Sequence, residues 1–225
     1  MKENENYNYQ RNTDEIRDES RYTKDEAQNF WKDPIKSDEQ DKGKNDPKDY
    51  LSFKDRRSPL LLEILDHYVK DRDLKILELG PNAGRNLNYL YVNGYKKLSG
   101  IEINPNAVSL LKKEFPFLSE NIELSSLEDS LPRKKSDEYD VVFSMAVLEH
   151  ISKESEFIFN EIQRISSSFI ITIEDETTNW SIRHFPRNYR EVFESESWKE
   201  IFSANCKEYD CLDDRFFIRV FRKQT

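Results

Sequence analysis

The chain has 225 residues, a length that suits one α/β domain with a substantial hydrophobic core. Its formal net charge of −9 argues against an extended nucleic-acid-binding surface, because such a surface needs a basic footprint that releases counterions. No apolar run approaches the roughly 20 residues that span a bilayer, and no signal peptide opens the chain. We therefore expect a cytoplasmic protein without a membrane partner, either a monomer or a weak homodimer.

The first 50 residues are rich in Asn, Asp, Glu and Lys and show no helical or strand period. Such a segment cannot bury enough apolar surface to offset its ordering entropy, so disorder is predicted for residues 1–25. Isolated aromatic side chains distinguish residues 30–50, which are predicted to lie against the domain as a surface arm or over a binding cleft. The chain thus divides into a partly disordered polar extension, residues 1–50, and a folded domain, residues 51–225.

Helices and strands then alternate along the chain. Ser58 is predicted to cap the first helix of the domain, with Pro59 in its first turn. Hydrophobic patterns predict strands at residues 74–79, 98–103, 122–124, 139–145 and 169–173, and helices at residues 84–92, 105–114 and 153–165. This regular succession favours parallel strand pairing with right-handed crossovers.

The C-terminal part departs from this alternation. A helix is predicted at residues 191–202, followed by strands at residues 208–211 and 216–221 that are close enough in sequence to form a hairpin. The predicted fold class is therefore α/β, a mostly parallel sheet flanked by helices and completed by a C-terminal antiparallel strand pair.

One segment runs from a hydrophobic strand through a loop containing Gly80 and Gly84 into a helix. Gly80 allows a sharp turn, and both glycines let a ligand approach the backbone closely. The N-terminus of the following helix suits a carboxylate or a phosphate. Glu102, at the end of the second strand, is placed to accept hydrogen bonds from two ribose hydroxyls.

At these residues the sequence resembles the class I S-adenosylmethionine-dependent methyltransferases. The glycine loop has their E-x-G-x-x-x-G spacing, at Glu78, Gly80 and Gly84, and lacks the G-x-G-x-x-G spacing of nucleotide-dependent dehydrogenases. The fourth strand leads into V-L-E-H at residues 147–150, as in small-molecule members of the family. The resemblance implies a Rossmann-like seven-stranded sheet, S-adenosylmethionine as the cofactor, and methyl transfer as the activity.

The resemblance also implies which residues surround the cofactor. The glycine loop would lie near its methionine part and Glu102 near its ribose. The residues expected to bind it are Glu78, Gly80, Pro81, Asn82, Gly84, Glu102, Ile103, Asn104, Ser126, Leu127, Ser144 and Met145. Where the family often has an adenine-binding Asp, this chain has Ser126 and Leu127, so a backbone contact from Leu127 or a weaker one from Ser126 takes its place. No metal ligands are expected.

Two of the three histidines are candidates for the chemistry. Methyl transfer depends mainly on alignment, but an acceptor hydroxyl can need a general base, for which histidine is suited near neutral pH. His150 follows the fourth strand and His184 the fifth, both at the sheet end where the cofactor is expected. The other interpretation of His150 is that it only shapes its loop. His67 is expected to be structural.

The loop after the fifth strand mixes aromatic and basic side chains, and Trp180, Arg183, Arg187 and Tyr189 are predicted to bind the substrate. The arginines suit an anionic acceptor, or else they balance the acidic run at residues 174–176. The N/D-P-P-Y/F signature of many nitrogen-methylating enzymes is absent. We therefore expect the acceptor atom to be an oxygen of a small molecule or of a glycan-like metabolite.

Two other functions remain open. One is a non-catalytic module that binds S-adenosylmethionine and acts through a partner, and the other is a nucleotide-dependent Rossmann oxidoreductase. The glycine spacing and the antiparallel strand pair disfavour the oxidoreductase. Cys206 and Cys211 are predicted to be reduced and structural, because neither a CxxC pair nor a Cys/His cluster surrounds them.

Overall fold

The computed structural model describes residues 17–37, 45–52 and 56–224 and is built around one seven-stranded sheet, in the order β3-β2-β1-β4-β5-β7-β6. The strands are β1 (Lys75–Leu79), β2 (Lys97–Glu102), β3 (Ile122–Leu124), β4 (Tyr139–Met145), β5 (Ser166–Asp175), β6 (Trp198–Asn205) and β7 (Phe216–Lys223). Strands β1 to β5 pair in parallel, whereas β7 runs antiparallel between β5 and β6. The predicted fold class is confirmed.

Helices cover both faces of the sheet. They are α1 (Lys24–Lys32), α2 (Pro34–Ser37), α3 (Pro47–Ser52), α4 (Arg57–Ile64), α5 (Arg85–Val92), α6 (Pro105–Glu114), α7 (Leu127–Ser130), α8 (Phe157–Ile165) and α9 (Tyr189–Phe193). Successive residues of β1 point to opposite faces, so Ile76 packs with the cluster under α4, α5 and α6, and Leu77 with the cluster under α8 and α9. Burial on both faces explains the continuous apolar runs of the parallel strands.

The N-terminal extension contains helices where no helical period was predicted. Thr23 and Glu26 form a capping box at the start of α1, and the helix buries Ala27 and Phe30. The prediction of disorder is therefore wrong for residues 17–25, while residues 1–16 lie outside the described residues. None of the helices within the described ranges is long and apolar enough to cross a lipid bilayer.

The predicted helix cap at Ser58 is wrong. Helix α4 begins at Arg57, and the buried Ser58 hydroxyl instead donates a hydrogen bond to Asn86 Oδ1 at 2.7 Å. This bond joins α4 to α5 and orients Asn86, whose Nδ2 donates to Glu78 on β1.

The C-terminal elements also differ from their prediction. Residues 198–205 form strand β6, where the end of a helix was predicted, and residues 206–209 form a 3₁₀ turn, where a strand was predicted. Glu200 lies on the less exposed side of β6 and Ile201 on its exposed side, so the sequence lacks the apolar–polar alternation that normally identifies a strand. The antiparallel pair is therefore made by β6 and β7 across a longer connection.

Candidate active site

A cavity of about 390 Å³ lies at the carboxyl ends of β1, β2 and β4. The strand order reverses between β1 and β4, and such a reversal leaves the crevice in which α/β proteins bind ligands. The volume is in the usual range for small-molecule sites. Nine of the residues predicted to bind the cofactor line it, namely Glu78, Gly80, Pro81, Asn82, Glu102, Ile103, Asn104, Leu127 and Met145.

Glu102, at the end of β2, is buried and joins two loops at the cavity. Its Oε2 accepts the N–H of Asn82 and its Oε1 accepts the N–H of Asn104, both at 2.8 Å. Burial raises the pKa of this carboxyl, while these N–H groups favour its ionised form. Each oxygen retains further acceptor capacity, so the carboxylate can accept hydrogen bonds from a diol.

The glycines of the loop have positive φ angles, +66° at Gly80 and +82° at Gly84. A Cβ atom on Gly80 would lie 2.6 Å from Val147 Cγ2, and one on Gly84 would lie 2.7 Å from Leu111 Cγ. Gly84 is therefore required by close packing of the loop against α6, and it does not line the cavity. Gly80 does line the cavity, but its missing side chain makes room for Val147.

Glu78 is a buried acid on β1 beside the cavity. Asn86 Nδ2 donates to its Oε1 at 2.8 Å, while Oε2 is buried and has no hydrogen-bond partner within the described ranges. Burial raises the pKa of Glu78 to about 8. A buried carboxylate oxygen with no donor matches a ligand that carries a cationic amine.

Glu149 and His150, which follow β4, meet His184, which follows β5, at the cavity, and we call these three residues the Glu–His–His cluster. Nε2 of His150 lies 3.5 Å, and Nε2 of His184 lies 3.6 Å, from Glu149 Oε1. His150 Nδ1–H donates to the carbonyl of Arg183 at 3.0 Å. Burial lowers the pKa of His150 well below its usual value and that of His184 to about 4, so both rings are neutral at neutral pH.

Buried acids hold the turn that carries this cluster. Glu149 Oε2 accepts the N–H of Asp175 at 2.5 Å, and Glu174 Oε2 accepts the N–H groups of Val147 at 2.9 Å and Glu149 at 3.3 Å. Burial raises the pKa of Glu149 to about 8 and that of Glu174 well above its usual value. Glu149 was missed as a site residue, although it stands in the V-L-E-H segment that marked this turn.

The N-terminal extension lies over the cluster. The Trp31 ring packs against His150 with ring centroids 4.5 Å apart, and the Arg183 guanidinium lies 4.4 Å from the Phe30 ring centroid. The sequence indicated that aromatic residues here would contact the domain but did not single out a residue. The cavity-lining residues of the extension are Ala27, Gln28, Trp31, Pro34, Asn45 and Tyr50.

Only part of the predicted substrate loop reaches the cavity. Arg183 and His184 line it, whereas Trp180, Arg187 and Tyr189 do not. Tyr189 is buried in the core, because it begins α9 and packs against Phe159 and Phe193.

The side chains that miss the cavity have other partners. Arg187 Nη2 lies 3.3 Å from Glu156 Oε1, and Trp180 lies beside the Arg215 guanidinium. Ser126 does not line the cavity either, because its side chain caps α7 through the Asp129 N–H. Ser144 is buried inside β4.

Comparisons with known proteins identify a methyltransferase domain in the chain. The family profile described as a methyltransferase domain matches residues 77–168. The ubiquinone biosynthesis O-methyltransferase of Rickettsia bellii is 27% identical over 119 residues, which are 52% of this chain and 48% of that protein. The chain thus spans about half the length of the curated relatives it matches.

Solved structures share the fold at low identity. Protein PH0226 of Pyrococcus horikoshii matches with a TM-score of 0.61 at 12% identity, covering 77% of this chain and 93% of that one. Magnesium protoporphyrin IX methyltransferase of Synechocystis was solved with bound S-adenosylmethionine. It matches with a TM-score of 0.57 at 13% identity, and the match covers 74% of this chain and 79% of that one. Residues 77–168 thus match a methyltransferase domain, and the described part of the chain shares its fold with solved methyltransferase structures.

Proposed function

We propose that this protein transfers a methyl group from S-adenosylmethionine to an oxygen atom of a small molecule. The observation that carries the proposal is that one cavity is lined by Glu102, by Glu78 and by the Glu–His–His cluster. A site for the cofactor therefore adjoins groups that can act on an acceptor.

The chemistry of the donor set fits S-adenosylmethionine. Glu102 has acceptor capacity for the two ribose hydroxyls, and Glu78 Oε2 suits the ammonium group of the methionine part. Ile103, Asn104 and Leu127 would border the adenine. The carboxylate would lie towards the N-terminus of α5, whose first N–H groups carry a partial positive charge. When bound, the cofactor supplies an electrophilic methyl group on a sulfonium sulfur.

His150 and His184 are the catalytic residues of this proposal. Their rings are neutral at neutral pH, so they orient an acceptor hydroxyl and lower the cost of removing its proton. Arg183 lines the same side of the cavity and suits an anionic group of the acceptor. Trp31 closes this side against water, which protects the alignment on which methyl transfer depends.

Two observations support an oxygen acceptor on a small molecule. The matched relatives are named O-methyltransferases, and the cavity is too small for a folded macromolecule. The charge of −9 also disfavours nucleic acid as the acceptor.

The proposal is tested by methyl-label transfer. Protein and methyl-labelled S-adenosylmethionine are incubated with separated small-molecule, protein, RNA and polysaccharide fractions of a cell extract. We expect label in the small-molecule fraction, and none with Glu102→Ala, whose cofactor binding should be weaker by about 1.5–3 kcal/mol in calorimetry. Glu123→Gln, which changes a carboxylate on the neighbouring strand β3 outside the cavity, is the matched control. Tight cofactor binding without label in any fraction would contradict the proposal.

A further inference from the structure

The Glu–His–His cluster brings three ligand atoms together without a hydrogen bond between them. Glu149 Oε1, His150 Nε2 and His184 Nε2 all lie within 4.8 Å of one another. The two N···O distances, 3.5 and 3.6 Å, are too long for good hydrogen bonds. They match the separation of about 3.3–3.6 Å between two ligands that each lie about 2.0–2.2 Å from a shared, tetrahedrally coordinated metal ion.

The contacts around the cluster leave the coordinating atoms available. Because His150 Nδ1–H donates to a backbone carbonyl, the lone pair of this neutral ring is on Nε2, which faces Glu149. A hydrogen bond of this kind is the usual outer contact of a metal-bound histidine. Glu149 Oε2 is held by the Asp175 N–H, so Oε1 remains for a ligand bond.

His184 completes the set from a different loop. Its Nδ1 is buried and has no hydrogen-bond partner in the part of the chain that the structure describes. No hydrogen bond there opposes the small ring movement that would bring Nε2 to an ion.

We propose that the Glu–His–His cluster binds one divalent transition-metal ion, with its remaining coordination positions open to the cavity. Two imidazole ligands favour an ion of the zinc or iron type over calcium or magnesium. The sequence predicted no metal ligands, because these residues come from separate loops and have no ligand spacing along the chain.

The catalytic part of this inference rests on the proposed methyl transfer and replaces the direct role of the two imidazoles. Once the Nε2 atoms of His150 and His184 bind the ion, the ion holds the acceptor hydroxyl in their place. An acceptor hydroxyl at an open coordination position would lose its proton to solvent more readily. The oxygen lone pair then forms the bond to the methyl carbon as the carbon–sulfur bond breaks, and that electron pair stays on sulfur. No electron is exchanged with the ion.

The site is tested by titrating metal-free protein with Co²⁺ and following its visible absorption, with elemental analysis of the stoichiometry. We expect one ion per chain in the wild type and at least a roughly tenfold loss of affinity in His150→Ala and His184→Ala. Glu149→Gln, which keeps the side-chain shape, should also bind more weakly. His67→Ala is the matched control, because His67 is exposed on another face of the molecule and should bind like the wild type.

Three results would overturn the site. They are no binding to the wild type, equal affinity in both folded histidine variants, and a sulfur-to-cobalt charge-transfer band that places the ion on Cys206 and Cys211. Label transfer by fully metal-free protein would refute the catalytic part and leave the proposed methyl transfer intact. Stoichiometric metal binding without label transfer would contradict the proposed function and leave the site standing.

Discussion

Glu78 links the stability of this protein to its proposed cofactor site. Burial raises the pKa of its carboxyl from 4.5 to about 8. Between these values the folded chain holds a proton that the unfolded chain has released, so the free energy of unfolding falls as the pH rises through this window. A cationic amine beside Oε2 would restore the ionised form and recover part of that loss.

We expect Glu78→Gln to raise the free energy of unfolding by about 1–3 kcal/mol at pH 8, because the amide has no proton to lose. The advantage should become small at pH 4.5 and below, where the Glu78 carboxyl is protonated in the folded chain and increasingly protonated in the unfolded chain. Urea unfolding at the two pH values measures the difference. The same variant should bind S-adenosylmethionine more weakly in calorimetry. Equal stability of the two proteins at pH 8 would show that burial does not raise the pKa of Glu78.

The glycine loop is the element that connects β1 to the site, and its geometry depends on Val147. A side chain at Gly80 must adopt φ of +66° and also displace Val147, whereas Gly94, at φ of +103°, has 3.5 Å to its nearest neighbour, Arg72. An added side chain would therefore strain the backbone at both glycines, but it would collide with a neighbouring side chain only at Gly80.

We expect Gly80→Ala to cost about 2–4 kcal/mol of unfolding free energy and Gly94→Ala about 1–2 kcal/mol. Adding Val147→Ala should recover part of the loss in the Gly80→Ala background, because it removes the methyl group that the new Cβ meets at 2.6 Å. Urea unfolding of the wild type, Gly80→Ala, Val147→Ala and the double variant provides the double-mutant cycle. Strictly additive effects of the two changes would mean that the strain lies in the backbone alone.

The strand predictions succeeded or failed according to the environment of each strand. Strands β1 and β4 are buried on both faces, and most of their residues are therefore apolar. Strand β6 is at the edge of the sheet, exposes the apolar side chain of Ile201, and pairs irregularly with β7 between Glu200 and Phe202. Its polar residues therefore fit a helical pattern as well as a strand pattern, and only the pairing with β7 decides between them.

At the scale of the whole molecule, the N-terminal extension is joined to the domain at the loop after β5. The Arg21 side chain is buried and donates hydrogen bonds to the carbonyl groups of Asn179 at 3.1 Å, Ser181 at 2.9 Å and His184 at 2.6 Å. One side chain thus connects the segment that carries Trp31 with the loop that carries His184.

We expect Arg21→Ala to release this connection, because three charged hydrogen bonds are lost together. Chymotrypsin should then cleave near Phe30 and Trp31 faster than in the wild type, and the KM for the acceptor should rise while cofactor affinity is kept. Arg17→Ala is the control, since the Arg17 side chain is 84% exposed. Unchanged cleavage in Arg21→Ala would show that other contacts hold the extension in place.

The sequence by itself determined the parallel core, the glycine loop and the acidic residue at the end of β2. Each of these has a local signal in the sequence: an apolar run, glycines that can adopt a positive φ, and a fixed spacing from the glycine loop. It also indicated His150 and His184 as separate candidates for the chemistry, without placing them in contact. Only the tertiary structure decided that Glu149 lies between them, that Trp31 covers them, and that Tyr189 belongs to the core. These contacts join residues from distant parts of the chain, and a residue's type does not specify which distant partner the folded sheet will bring beside it.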